Sequence, residues 1–163
     1  MKKFFTVSGI MILLLILDCS VMPFISINGY YPSLLLIFSI YFSLISGTEE
    51  AIIIGAMSGI MQDVYFTGVL GVNGFSNLIV CLLAAQIGKA IFKEKYLIPI
   101  VCNFILSLLK GLIIFGIAFF IKESITLNSV VFISLYNFVI GLFMYKFIYK
   151  LSEKTFMKNY WKY

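Results

Sequence analysis

From Leu97 to Ile121 a single charged side chain, Lys110, interrupts an otherwise apolar run. About 20 such residues suffice for a helix to cross the hydrocarbon of a bilayer. A helix apolar on every side folds either in the core of a large protein or in lipid. A chain of 163 residues that is 62% hydrophobic and 12% charged has too little polar surface to cover such a core. Soluble domains carry about 25% charged residues. Lipid is therefore the expected solvent.

Six apolar stretches follow one another: Phe4 to Met22, Pro32 to Ser46, Ala51 to Phe66, Gly74 to Phe92, Leu97 to Ile121, and Ser129 to Tyr149. Pro32 suits the first turn of the second. The third starts after Glu49 and Glu50. Lys2 and Lys3 before an apolar stretch resemble a signal peptide, but no small-x-small site follows and Asp18 precedes Cys19. The stretch is read as an uncleaved first span. Short connections predict one integral membrane domain with no extramembrane domain.

All twelve basic residues are lysine. Without arginine the bidentate grip on phosphate and guanine is missing, so the net charge of +5 points to membrane topology rather than nucleic acid. With six spans, Lys2, Lys3, Lys89, Lys93, Lys95, Lys146, Lys150, Lys154, Lys158 and Lys162 fall on one side. Lys122 falls on the other, and Lys110 lies within span five. The positive-inside rule then places both termini in the cytoplasm. The expected fold class is an all-α membrane protein, a six-transmembrane-helix bundle.

The absence of histidine removes Ser-His and Cys-His nucleophile pairs. Cys19, Cys81 and Cys102 sit apart in apolar runs and read as small buried residues. No nucleotide-binding glycine pattern occurs. Asp18 and Asp63 lack the Gly-x-Gly-Asp setting of intramembrane aspartyl proteases. No enzyme, metal site or cofactor is expected.

Ala51, Gly55, Gly59 and Asp63 recur every four residues and share one helical face. Small residues at that spacing let two helix backbones approach. The plain reading is packing within the chain; the functional one is a docking face for another protein's helix. Asp63, near the end of its span with Gln62 beside it, should face the interior, a partner or water. Next, Gly68, Gly71 and Gly74 interleave with Val69, Leu70 and Val72 in a loop too apolar for water and too glycine-rich for a stable helix. A tight, partly buried connection is expected, with Asn73 and Asn77 satisfying backbone groups. Lys110 needs a partner inside the bundle, and a buried ion pair with Asp18 or Asp63 is the expectation. At the end of the chain, Lys146, Lys150, Lys154, Lys158 and Lys162 stand four apart, with Phe156, Tyr160, Trp161 and Tyr163 between or beyond them. Such a basic-aromatic tail over 150–163 suits an anionic lipid leaflet.

Taken in order, these features resemble the rod shape-determining MreD family. Leu17-Asp18-Cys19-Ser20-Val21-Met22-Pro23 resembles its Leu-Asp-x-Ser-x-x-Pro stretch, and Pro32-Ser33-Leu34-Leu35-Leu36 its Pro-Asp-Leu-Leu-Leu. Gly55-x-x-x-Gly59-x-x-x-Asp63 followed by Leu70-Gly71-Val72-Asn73 is the strongest match, and Tyr136-Asn137 resembles a late Tyr-Asn pair. Ser33 departs from the family, which often has aspartate there. The resemblance implies a non-catalytic scaffold of the elongation complex in the bacterial cytoplasmic membrane, controlling cell shape and lateral peptidoglycan synthesis. The implied partners are MreC, MreB, RodA and a penicillin-binding transpeptidase. It also implies a fold similar to the S components of ECF vitamin transporters. A substrate-binding S component, with a pocket built from Asp18, Asp63, Gln62 and Asn73, is the alternative function.

Overall fold

The computed structural model describes residues 2–27, 29–66, 71–90, 97–121 and 126–153. Six α-helices follow in order: α1 Lys2–Ser20, α2 Leu34–Ser46, α3 Thr48–Phe66, α4 Val72–Ala90, α5 Leu97–Ile121 and α6 Leu127–Ser152. A 3-10 turn, Met22–Ile25, follows α1 and carries Pro23 in its first turn. Among them α1, α4, α5 and α6 are long and apolar enough to cross a membrane.

The ends of the helices differ from the sequence expectation in instructive ways. Pro32 lies before α2, not in its first turn; Ser33 is the N-cap, its hydroxyl accepting from Leu36 N–H at 3.3 Å. A short oxygen-bearing side chain satisfies a donor that proline could not. Glu49 and Glu50 belong to the first turn of α3, where acidic side chains complement the positive helix end. That early start is possible because Gly47, at φ +102°, reverses the chain between α2 and α3. Gly71, at φ +101°, does the same just before α4, so Asn73 and Gly74 fall inside that helix rather than in a loop. Gly68 and the tail residues Lys154 to Tyr163 lie outside the described residues.

The organising element is α2. It contacts α1, α3, α4, α5 and α6. All its residues from Leu34 to Leu44 are buried. With 13 residues it is about 20 Å long, short of the roughly 30 Å of bilayer hydrocarbon. Its neighbours, not lipid, surround it, so its length need not match the membrane. The outward faces of the others carry large apolar residues, including Ile53, Ile105, Phe119, Phe143 and Phe147. Such faces suit lipid contact.

Consecutive helices run in opposite directions. At one end Lys3 of α1 pairs with Glu50 of α3, and α4 crosses α2 where Gly88 meets the Leu44 carbonyl. Lys89 and Lys150 close their helices at this lysine end. Asp18 and Asp63 stand at the opposite, aspartate end.

The small-residue face of α3 is spent inside the chain. Ala51 is fully buried and clusters with Cys81 and Ala85 of α4. A Cβ on Gly55 would press on Leu78 Cα and Cys81 Cβ at 3.0 Å. A Cβ on Gly59 would collide with the Asn73 and Gly74 backbone. In this structure the face through Ala51, Gly55 and Gly59 packs against α4.

We expect Gly59→Ala to destabilise the protein by about 1–3 kcal/mol through overpacking. Gly116→Ala, with nothing within 4 Å of the added methyl, should be neutral or slightly stabilising. Thermal unfolding in mild detergent, read by size-exclusion chromatography, checks both.

Candidate functional site

A helix that starts inside a membrane protein leaves its first N–H groups without partners. At the aspartate end two carboxylates supply them. Asp18, in the last turn of α1, takes Leu34 N–H on Oδ1 at 2.7 Å. Its Oδ2 accepts from Leu35 N–H and the Ser33 hydroxyl, both at 3.1 Å. Asp63, in the last turn of α3, accepts from Asn73 N–H at 2.8 Å and from Gly71 and Gly74 N–H at 2.9 Å. Each acid therefore caps the helix that follows its own. A carboxylate at a helix N-terminus also meets the positive end of the helix dipole. The carboxylates, at 1% and 2% exposure, are buried with their charge compensated.

The caps belong to a wider network. Gln62, beside Asp63, donates to the Ser33 hydroxyl at 2.8 Å and accepts from Asn77 of α4 at 3.0 Å. The same Oε1 accepts from Lys110 Nζ at 2.7 Å. Asn137 of α6 accepts from Ser33 N–H at 3.0 Å and donates to Ser107 of α5 at 3.2 Å. Asn103 donates to the Asn137 carbonyl at 3.0 Å. Five of these helices, and the N-cap Ser33 of α2, thus contribute polar side chains to one buried cluster.

The expected residues come together, with different bonds. Asp18, Asp63 and Lys110 share the aspartate end, and coulombic attraction reaches Lys110 from both acids. The direct contact of Lys110, however, is the amide of Gln62, because helix N-termini have taken the carboxylates. The expected ion pair is thus replaced by an ion–amide bond. The backbone of the glycine segment is likewise satisfied by Asp63; Asn77 bonds Ser58 at 3.1 Å and Gln62 instead. Sequence reading missed Asn103 and Ser107. Their signal is present: Asn103, Ser107 and Lys110 are spaced four and three apart, which aligns them on one face of α5.

Next to the cluster lies a cavity of about 590 Å³. Asp18, Ser33, Gln62, Asn73, Ser107, Lys110 and Asn137 give it polar walls; Leu36, Ile114, Val130 and Ile133 give it apolar ones. Tyr30 and Tyr31 border it as well, and Tyr30 stacks on Phe132 at 5.8 Å.

A bundle with apolar outer faces and its polar groups gathered inside defines the class: an all-helical membrane protein. Within that class the chain belongs to the MreD family, described as rod shape-determining protein MreD, whose family model matches residues 1–155. Its role is in rod-shape determination. Comparison with curated proteins gives no match, and neither does comparison with solved structures.

Asp63→Ala should cost about 2–4 kcal/mol by orphaning buried N–H groups of α4. Asp63→Asn, which keeps one acceptor oxygen, should cost about half as much. Detergent unfolding midpoints of the two variants against the parent chain provide the check.

Proposed function

We propose that this protein is a non-catalytic scaffold of the rod-shape elongation complex. It sits in the bacterial cytoplasmic membrane as one six-span domain with both termini in the cytoplasm. It binds MreC and, through it, links MreB with RodA and a penicillin-binding transpeptidase during lateral peptidoglycan synthesis. The basic tail rests on anionic lipid.

The observation that carries this reading is the family match along nearly the whole chain. The chemistry of the buried cluster supports it. Both aspartates serve as helix caps, a structural role. The alternation of the helices supports the topology, because Lys3, Lys89 and Lys150 gather at one end. Since the α3 small-residue face is occupied, MreC engages an outward apolar face of the bundle.

The alternative, an ECF-type S component, draws support from the cavity at the aspartate end, which would face outward. Co-purification separates the two. Tagged protein from its native membrane in mild detergent should bring down MreC and elongation enzymes, and depletion should turn rods into rounded, wider cells. Recovery of ATPase subunits with cell shape unchanged would overturn the scaffold reading.

Topology has its own test. In a cysteine-free background, Asn128→Cys in the first turn of α6 should react with an impermeant maleimide on intact cells. Glu153→Cys, at the end of α6, should react only after permeabilisation. Both positions are exposed.

A further inference from the structure

Lys110 is 7% exposed, and its ammonium carries three N–H donors. One goes to Gln62 Oε1 at 2.7 Å. The nearby acids have been drawn elsewhere: Asp18 holds three donors of the α2 N-terminus, and Asp63 holds three of α4. A buried cation normally sits against an anion in direct contact. Here the direct partner is a neutral amide, and the ammonium borders a cavity of about 590 Å³. That volume falls within the roughly 300–1,000 Å³ of small-molecule pockets.

We propose that this cavity binds an anionic group, a phosphate or carboxylate, carried on a molecule with an apolar body. Lys110 is the charged anchor. Ser107, one turn earlier on α5, accepts from Asn137 and keeps its own hydroxyl hydrogen to donate. Asn73 is 6% exposed and borders the cavity, and among the described residues its side-chain amide has no hydrogen-bond partner. Its NH₂ is a third donor of the site. Two neighbouring acceptors are already engaged: the Gln62 oxygen receives Asn77 and Lys110, and the Asn137 oxygen receives Ser33 N–H. Asp18 also lines the cavity, and its charge is offset by two amides, a hydroxyl and the α2 dipole. The three donors of Lys110, Ser107 and Asn73 select an acceptor-rich ligand. The apolar walls of Leu36, Ile114, Val130 and Ile133 accommodate its body. A lipid head group and a free anion share this chemistry. The proposal stands independently of which partners the protein binds.

The test uses the purified full chain in neutral detergent. Thermal unfolding is recorded with inorganic phosphate, with phosphatidylglycerol mixed into the micelle, and with phosphatidylcholine as control. The expected result is a rise in midpoint with at least one anionic probe that exceeds any rise with phosphatidylcholine. The apparent affinity should fall at least about tenfold in Lys110→Met. Ile133→Trp fills the cavity while retaining Lys110, and should abolish the effect, which decides the matter if Lys110→Met fails to fold. A response to phosphate identifies a soluble anion as a sufficient ligand; a response to phosphatidylglycerol alone identifies a lipid head group. No response beyond the control to either probe, or a full response in Ile133→Trp, overturns the proposal.

Discussion

The architecture depends on a constraint imposed by lipid: a helix that begins below the membrane surface must find partners for its first amides. In this chain two aspartates meet it. Asp18 and Asp63 each sit at the end of one helix and cap the next. The acid fixes the entry of α2 and of α4. The remaining buried polar groups are arranged around these two ends. Ser33 links the Asp18 cap to Gln62, Gln62 links α3 to α4 and α5, and Asn137 ties in α6.

Between the caps and the lysine end, packing is set by small residues and by one enclosed helix. Gly55 and Gly59 bring α3 against α4, and Gly88 brings α4 against the end of α2. Close backbone approach of this kind supplies dispersion where lipid offers no hydrophobic drive. The polar cluster adds directionality. A hydrogen-bonded group surrounded by hydrocarbon has few alternative partners, so one network spanning six helices selects one register among them.

Much of the helical layout was legible in the amino-acid order. Charged and glycine-bearing breaks separate the apolar runs, and α5 runs from Leu97 to Ile121 as its pattern requires. The face through Gly55 and Gly59 was legible as a close-packing surface, because the spacing is local. What that face packs against was not legible, since α4 presents Asn73, Gly74 and Leu78 to it only after folding. The same limit governed Lys110. Its need for a partner follows from burial, but the choice of Gln62 over an aspartate depends on two helix N-termini competing for the carboxylates. Competition among partners from different helices leaves no periodic trace in a sequence.

The shortness of α2 bears on which parts of the bundle can stand alone. A helix of 13 residues is a poor substrate for insertion as an independent span, and its first amides find their acceptor on α1. Segments one and two therefore form one hairpin, closed by Asp18. The α3–α4 pair, closed by Asp63, is a second such unit. The bundle is thus built of hairpins tied at their aspartates rather than of self-sufficient single helices. α5 and α6 complete the enclosure of α2.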